Sequence, residues 1–497
     1  NPMENTKTIL FFDDWPIQHS RGVVRRWFSA EPWPGHAPAV DPRLRDSFNG
    51  PTVERNAESG RWRMWSVGST DRTKGDEGTG LYLYESEDGI EWRPSFQKPA
   101  ADPRAAAGAE HLVFSGEHTG NGLPFFDALE KDPARRYKIA YTDVSSNPVG
   151  SEGPCRIAVS PDGVHWTIDR AAVWREQHTD AGCSILFNPW TKKYQFTSRP
   201  ILGDRRIALY ETTDWRTFTK PQIIIHPDPS DPPNVEFYGM PEFLYEGYFV
   251  GFLHRQHGAF VDDTIPSRMK GRVDSELVYS INGTHWSRTN RQPFLPDGGI
   301  GKYGFGSEYP SSMVMDEAGW LRVYTASFVG EHNDGEKFPA GEKSLFLTVS
   351  RFRRDGFCAM ESASDVGHLT LRPLISRGGP VRINAVMGRF GKIRAELRMV
   401  PDNKPIPGFE LENSIPVEGD GHFLTLKWKD RDSIDQFEGE PFRLFLELDQ
   451  ARLFAVRVAA DYCYGWVPEP NLVGDYIPNQ CPGCQFGRFE AYEGKNK

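Results

Sequence analysis

Several acidic residues stand at comparable positions in the sequence, directly beside a predicted apolar strand. They are Asp13 and Asp14 after the run ILFF, then Glu110, Asp180, Glu236 and Glu308 before later strands. Carboxylates that share one cavity repel each other and lose solvation, so a fold keeps such a group for acid–base chemistry or for a cation. We therefore select Asp14, Asp180, Glu236 and Glu308 as candidate catalytic residues.

Cleavage of a glycosidic bond is a reaction that needs these groups. One carboxylic acid protonates the leaving oxygen, and a second carboxylate acts as base or nucleophile. Burial and neighbouring charge separate their pKa values, so that one group stays protonated. Asp and Glu also end strands and cap turns in a structural role. The repeated placement of these carboxylates is what favours the catalytic interpretation.

Other polar side chains near the predicted strand ends could bind a substrate. These are Asp13, Arg26, Glu110, Tyr238, His254 and His332. A histidine at such a place could serve as a general acid or as a metal ligand, and a hydrogen-bonded structural role is the alternative. No cofactor is required for this chemistry, although several carboxylate oxygens in one channel could hold a structural Ca²⁺.

An internal repeat predicts how these residues are positioned. GLYLYESEDGIEW, CRIAVSPDGVHW, RIALYETTDWRTF and ELVYSINGTHW each combine an alternating strand, an Asp/Asn-Gly or Asp-Trp turn and an aromatic residue, and SLFLTVSRFRRDGF is a degenerate fifth copy. Another predicted strand pair precedes each copy. Repeats of this size with about four strands each are typical of a propeller. We therefore predict an all-β chain with a five-bladed β-propeller whose blades span residues 45 to 357.

The apolar strand ILFF is predicted to close this ring by pairing into the last blade. That pairing would bring Asp13 and Asp14 to one mouth of the channel. The first domain then comprises residues 1–357, and a β-sandwich of about six strands follows in residues 358–460. Residues 461–497 are predicted to form an irregular extension.

Composition excludes several classes of protein. The chain of 497 residues has a net charge of −10 and no basic block, which argues against nucleic acid as a partner. No run of about 18 apolar residues is present, so no membrane span is predicted. Cys481 and Cys484 in CPGC could be half of a zinc site, a redox pair or a disulfide, and the structural interpretation is favoured.

Several segments resemble the five-bladed propeller glycoside hydrolases, the group that holds families 32, 43, 68 and 117. They are FFDDWPI, GRWRMW, PDGVHW, FYGMPEFLYEGYFVGF, RQPFLP, YPSS, RRDGF and KPIPGFELENSIPVEGDGHFLTLKW. The chain looks most like bacterial family 32-like and family 43-like hydrolases, over about residues 9 to 458. The NDPNG and RDP motifs of family 32 are missing.

The resemblance implies three carboxylates at one end of the channel. Carried over, they are Asp14 as nucleophile or base, Asp180 as the residue that orients the sugar, and Glu236 as general acid. Asp13 competes with Asp14, and Glu308 competes with Glu236. The implied enzyme acts on a furanoside or on a plant or algal oligosaccharide or polysaccharide. Its expected location is extracellular or periplasmic, although no signal peptide is visible.

Two further functions stay open from the sequence. A non-catalytic carbohydrate-binding propeller would keep its axial carboxylates apart, capped or filled by metal. A propeller lyase would need a Tyr or His base with an Arg or a metal, and a phosphorylase would need clustered Arg and His residues to hold phosphate.

Overall fold

A computed structural model describes residues 6–34, 50–56, 59–69, 79–95, 112–114, 119–143, 154–178, 180–200, 204–260, 266–296, 298, 304–332, 345–362, 366–400 and 402–463. The chain divides into two compact units. The terminal unit comprises residues 1–28 and 353–497, and the central unit comprises residues 29–352.

The described residues are almost entirely strands and turns, which confirms the prediction of an all-β chain. The first strands are β1 (Lys7–Leu10), β2 (Ile17–Arg21), β3 (Val23–Trp27), β4 (Glu31–Pro32), β5 (Thr52–Arg55), β6 (Trp62–Ser69), β7 (Thr79–Ser86), β8 (Arg93–Pro94), β9 (Leu112–Phe114), β10 (Thr119–Phe126), β11 (Tyr137–Asp143), β12 (Pro154–Ser160), β13 (Thr167–His178), β14 (Asp180–Asn188), β15 (Lys193–Arg199), β16 (Ile207–Thr212) and β17 (Gln222–Ile225).

The remaining strands are β18 (Val235–Gly239), β19 (Glu242–Tyr245), β20 (Tyr248–Phe260), β21 (Pro266–Ser280), β22 (Trp286–Pro293), β23 (Ser307–Met315), β24 (Trp320–Phe328), β25 (Leu345–Arg353), β26 (Cys358–Ser362), β27 (Gly367–Leu371), β28 (Leu374–Ser376), β29 (Arg382–Met399), β30 (Ser414–Ile415), β31 (Asp420–Thr425), β32 (Lys427–Trp428), β33 (Pro441–Val458) and β34 (Ala460–Tyr462). Short 3₁₀ turns occur at Pro133–Arg135, Leu411–Asn413 and Asp435–Phe437.

Among the described residues, the strands of the central unit form five antiparallel sets. Set 1 is β5 to β9, set 2 is β10 to β13, set 3 is β14 to β17, set 4 is β18 to β22, and set 5 is β23, β24, β25 and β4. A parallel bridge between Val273 and Ser307 joins sets 4 and 5. Their arrangement as five blades around one axis stays a prediction.

Apolar side chains fill the space between neighbouring sets. Trp65 and Leu83 of set 1 pack with Ile139 of set 2, and Ile157 of set 2 packs with Phe196 of set 3. Ile207 of set 3 likewise packs with Phe237 and Leu253 of set 4. Tyr82 of set 1 packs with Tyr309 and Tyr324 of set 5, so the last set contacts the first.

The repeated turns predicted from the sequence are confirmed in their hydrogen bonds. In the second copy the Ser160 hydroxyl accepts the Gly163 N–H at 2.9 Å. The Asp162 carboxylate accepts the N–H groups of Val164 and His165 at 2.9 and 2.8 Å. The copies at Ser86, Thr212 and Ser280 repeat this pattern. These bonds hold the pKa of Asp162 at about 2, although burial alone would raise it.

The prediction that ILFF closes the ring of the central unit is wrong. Its strand β1 pairs with β33, with Ile9 opposite Val456, and therefore belongs to the terminal unit. Residues 1–28 accordingly fall outside the central unit, contrary to the predicted domain of residues 1–357. The segment that adds to set 5 is β4, where Pro32 pairs with Ser350. An apolar strand that is buried on both faces fits either sheet, so its pattern does not specify a partner.

The terminal unit is organised around the long strand β33. One edge of β33 pairs with β29 over most of its length. The other edge pairs in succession with β28, β27, β26 and β1. These strands belong to a single hydrogen-bonded sheet, so the predicted folding of residues 358–460 into a sandwich stays a prediction. Cys481 and Cys484 lie outside the described residues.

We expect Gly163→Ala to destabilise the protein more than Gly247→Ala. Both glycines have positive φ, +78° and +87°, so both variants bear a similar backbone cost. A Cβ at Gly163 would stand 2.6 Å from Cζ2 of Trp65, whereas a Cβ at Gly247 would have no atom within 4 Å. The clash should lower the free energy of unfolding by a further amount of about 1–3 kcal/mol.

Urea unfolding followed by tryptophan fluorescence measures this difference. Equal midpoints for the two variants would contradict the packing of Trp65 against the second repeat turn.

Candidate functional site

The central unit brings together a group of charged and aromatic side chains from sets 3, 4 and 5. We call it the arginine–tyrosine cluster, and it consists of Arg199, Arg205, Glu236, Tyr238, Gln256, Tyr309 and His332. Arg199 ends β15 and Arg205 precedes β16. Glu236 and Tyr238 lie in β18, where Glu236 pairs with Gln256 of β20. The cluster is therefore built at strand ends and across one ladder, where backbone pairing fixes its members.

Glu236 is the carboxylate of this cluster. Its Oε2 lies 3.5 Å from Nη1 of Arg205, and its side chain is 18% exposed. The same Arg205 guanidinium donates a hydrogen bond to the side-chain oxygen of Gln256. Glu236 is thus held beside a cation while part of its side chain still reaches solvent, which an acid–base group needs.

Tyr238 supports the two arginines. The guanidinium carbons of Arg199 and Arg205 lie 5.0 and 5.3 Å from the centre of its ring. Such contacts are favourable because the face of an aromatic ring carries negative potential. The predicted substrate-binding residue Tyr238 is only 4% exposed, so its observed contacts are with protein groups.

Tyr309 and His332 complete the cluster. The ring of Tyr238 lies 5.6 Å from that of Tyr309 and 4.8 Å from that of His332. The Tyr309 hydroxyl is 3.2 Å from Nδ1 of His332. Burial, with the positive charges of Arg205 and Arg199, lowers the pKa of His332 to about 3. Burial also raises the pKa of Tyr309 well above its usual value. Both groups are therefore neutral at physiological pH.

A network of ion pairs fixes β20 and β21 beside the cluster. Arg255 donates to the Asp274 carboxylate at 2.7 and 3.0 Å and to Glu276 at 3.2 Å. Nε2 of His257 lies 3.0 Å from Asp274. Although burial opposes it, the hydrogen bond of His257 and the charge of Arg255 lower the pKa of Asp274. The groups in this network satisfy one another, which favours a structural role.

His254 is a buried histidine with a defined partner. It is 1% exposed, and its Nε2 lies 2.9 Å from the carbonyl oxygen of Pro310. Because a carbonyl oxygen only accepts, Nε2 carries the proton in the neutral ring. Burial lowers the pKa of His254 to about 4. Its role in binding substrate stays a prediction, and its observed contact is structural.

Two other predicted catalytic residues lie on strands of the same unit. The backbone of Asp180 pairs with that of Arg199, so this residue stands across the ladder from a member of the cluster. Glu308 precedes Tyr309 in β23 and is 4% exposed. It lines a cavity of about 30 Å³ with Trp33, Ser327 and Thr348.

The N-terminal candidates belong to the terminal unit. Asp14 is 84% exposed and pairs with Arg25, and Asp13 accepts the Trp15 N–H at 2.8 Å. Arg26 is 51% exposed and lies 3.0 Å from Glu361. Asp13 thus caps a turn, and the catalytic role of Asp14 stays a prediction. Glu110 lies outside the described residues.

The described side chains offer no metal site. No group of three or more His, Cys, Asp or Glu residues among them could hold an ion. A structural Ca²⁺ in the channel stays a prediction. Within the same residues, no helix has the length and apolarity to cross a membrane.

Four members of the cluster were not selected from the sequence, namely Arg199, Arg205, Gln256 and Tyr309. The segment SRPILGDRR offered a weak signal, because it places arginines at the end of one predicted strand and before the next. Gln256 and Tyr309 occur inside regular strands, where their types indicate nothing about partners on other strands.

Comparisons with known proteins give only distant similarities. No family model matches the chain, and no curated protein sequence matches it. An N-acetylgalactosamine deacetylase from F. plautii in complex with blood group B trisaccharide is a similar solved structure, with 13% identity, a TM-score of 0.46 and coverage of 68% of this chain and 97% of that one.

Two further solved structures are described as enzymes that act on sugars. A glycosyl hydrolase from Bacteroides ovatus has 12% identity, a TM-score of 0.45 and coverage of 66% and 94%. A fructofuranosidase from Schwanniomyces occidentalis complexed with fructosylnystose has 9% identity, a TM-score of 0.40 and coverage of 87% and 99%. Glycoside hydrolases are the class that the sequence resemblance named. At these scores the likeness carries no argument about reaction or substrate.

Glu242 is another acidic residue of set 4, and its surroundings differ from those of Glu236. It is 3% exposed, and among the described residues neither carboxylate oxygen has a hydrogen-bond partner. Its backbone N–H donates to the Ser184 hydroxyl at 3.0 Å. Burial raises the pKa of Glu242 well above 4.5, so the folded protein holds this proton to a higher pH than the unfolded chain does.

We expect Glu242→Gln to remove a pH dependence of stability. The unfolded chain releases this proton near 4.5, while the folded chain retains it to higher pH. Stability should therefore fall as pH rises between these two values, by about 1.4 kcal/mol per pH unit from this group. A neutral amide has no proton to release, so the variant should lose this slope.

Urea unfolding at several pH values between 5 and 8 measures the slope. Glu246→Gln, at the exposed turn after β19, is the matched control and should behave as wild type. The same slope in the Glu242 variant would contradict a buried, protonated carboxyl.

Proposed function

We propose that the protein is a glycoside hydrolase and that Glu236 takes part in its proton transfers. The observation that carries this proposal is the position of Glu236, held 3.5 Å from Arg205 and partly open to solvent. A carboxylate that is oriented by a cation and still reaches solvent can approach a glycosidic oxygen or an attacking water. The substrate class is an oligosaccharide or polysaccharide, as the sequence resemblance implies.

Asp180 is the second carboxylate that we assign to the reaction. Its backbone pairing with Arg199, a member of the arginine–tyrosine cluster, supports this assignment. Asp14 keeps the role of nucleophile or base that the resemblance implies. We further propose that the five strand sets are the blades of one propeller, that a sandwich follows it, and that the enzyme is extracellular or periplasmic.

The proposed reaction divides the work between these groups. One carboxyl group donates a proton to the glycosidic oxygen as the bond to the anomeric carbon breaks. The other removes a proton from water or attacks the anomeric carbon, and the separation of the two decides between inversion and retention. Neutral Tyr309 and His332 do not compete for these protons at physiological pH.

We expect Glu236→Gln and Asp180→Asn each to lower kcat/KM by at least about a hundredfold. The first variant removes a proton-transfer group, the second removes the carboxylate that orients the sugar, and each keeps the shape of the side chain. The assay uses aryl furanosides with plant and algal oligosaccharides, after near-ultraviolet circular dichroism has verified folding. Asp14→Asn tests the third carboxylate in the same assay.

Glu317→Gln is the matched control, because Glu317 is 80% exposed and pairs with Arg55 outside the cluster. Wild-type activity is expected for this variant. Full activity in Glu236→Gln would refute the assignment and direct attention to Glu308.

A glycoside phosphorylase is the second candidate function. The two arginines and His332 that meet at Tyr238 are the kinds of residue that hold phosphate, and this grouping is what favours it. A phosphorylase would need inorganic phosphate for turnover and would release a sugar phosphate. Activity in phosphate-free buffer excludes this candidate.

A further inference from the structure

The side chain of Arg205 is held by several neighbours at once. The backbone carbonyl oxygen of Arg205 accepts the N–H of Phe237 at 3.2 Å, which places this residue beside β18. Its guanidinium lies over the ring of Tyr238, with the carbon Cζ 5.3 Å from the ring centre. Its Nη1 donates to Oε1 of Gln256. Groups other than Glu236 therefore contribute to the position of this cation.

Gln256 is a buried amide with a defined orientation. It is 1% exposed, and its strand β20 lies between β18 and β21, where Gln256 pairs with Glu236 on one side and with Val273 on the other. Its Nε2 donates to the carbonyl oxygen of Lys270 at 3.4 Å. Because a carbonyl oxygen only accepts, this contact assigns the NH₂ group to Lys270 and leaves Oε1 for Arg205. The amide is thus a fixed acceptor for the arginine.

The contact between Arg205 and Glu236 is looser than an ordinary arginine–carboxylate pair. The distance from Nη1 to Oε2 is 3.5 Å, whereas charge-assisted hydrogen bonds of this kind measure about 2.7–2.9 Å and are often bidentate. Arg255 and Asp274 of the same unit form such a bidentate pair, at 2.7 and 3.0 Å. In Arg205 the nitrogen that approaches Glu236 is the one that donates to Gln256. The guanidinium is therefore shared between the amide and the carboxylate.

A bidentate pair with Arg205 would restrict what Glu236 can do. A carboxyl group that transfers a proton must approach a glycosidic oxygen or a water. Oxygen atoms bound by a guanidinium would first have to leave it, and hydrogen bonds between charged groups are the strong ones. Gln256 is a neutral acceptor, so it can hold the arginine without placing a second negative charge beside Glu236.

We propose that Gln256 is a positioning residue for Glu236 and acts by holding Arg205. The amide keeps the guanidinium near enough to orient the carboxylate and too far away to form a bidentate pair with it. This inference rests on the proposed function for its statement that Glu236 takes part in proton transfer. Gln256 does not touch the substrate in this role, so its loss should affect kcat more than KM.

Gln256→Met removes the acceptor and keeps the approximate length of the side chain. In crystal structures of the full chain, we expect Arg205 to turn toward Glu236 in this variant and to form two N–O contacts shorter than about 3.2 Å. In the assay with aryl furanosides and oligosaccharides, kcat should fall at least about tenfold, the size of one charge-assisted hydrogen bond. Gln18→Met is the matched control and should behave as wild type, because Gln18 accepts from Arg443 in the terminal unit.

A double-mutant cycle tests whether Gln256 acts through the arginine. In a chain that already carries Arg205→Met, adding Gln256→Met should cause no further loss of kcat/KM, because no guanidinium remains to be held. A merely structural role of Gln256 would cost the same in both backgrounds. If Gln256→Met does not fold, Gln256→Glu takes its place. Its carboxylate still accepts from Arg205, so the distance from Arg205 to Glu236 should not shorten.

The outcomes separate this inference from the proposed function. An unchanged distance from Arg205 to Glu236 in Gln256→Met, full activity of that variant, or an equal loss with and without Arg205 would overturn the inference. For Gln256→Glu, a shortened distance would overturn it. The expected movement of Arg205 in a protein that turns over no substrate of the panel would uphold the hold of Gln256 on Arg205 and count against the hydrolase. Hydrolysis at the same rate by wild type and Gln256→Met would do the reverse.

Discussion

The central unit depends on one constraint, which is that each strand set has two apolar faces and only neighbouring sets can cover them. The interfaces between consecutive sets are built from fully buried residues such as Leu83, Ile139, Ile157 and Phe196. Burial of apolar area is the main favourable term in folding, and it acts here at every interface. Because neighbouring sets pack tightly against each other, side chains from different sets lie at fixed distances from one another. The arginine–tyrosine cluster exists because sets 3, 4 and 5 meet in this way.

Within that frame, aromatic rings hold the charged groups in place. Tyr238 contacts both arginines, and Tyr309 contacts Tyr238 and His332. An aromatic ring offers an arginine a favourable face without neutralising its charge. The rings of the cluster therefore fix the positions of its charged groups, while the paired network of Arg255, Asp274 and Glu276 serves the scaffold.

The sequence predicted the local elements well because their causes are local. Turns such as Ser160 to His165 are stabilised by hydrogen bonds within six residues, so their pattern is visible in the chain. The turn of the fifth repeat copy differs from these turns, and the structure shows why. Asp355 has φ +60° and binds Arg457 and Asn384 of the terminal unit, so its turn serves another purpose.

Long-range pairing was not predictable in the same way. Ile9 and its neighbours have the composition of any buried strand, and only register decides that they pair with β33. Glu236 and Tyr238 were selected because they stand beside a predicted strand. Arg199 and Arg205 belong to the cluster because they contact Tyr238. No spacing in the sequence reveals such a contact between different strand sets.

The pairing of β1 with β33 also has a consequence for the order of biosynthesis. A ribosome that adds about 5–20 residues per second finishes β33 tens of seconds after β1 emerges. During that interval the whole central unit can fold, while β1 lacks its native partner and exposes an apolar edge. Such a strand is a template for unwanted pairing with other chains. The terminal unit therefore completes its sheet only after β33 has been synthesised, and β1 needs protection from such pairing until then.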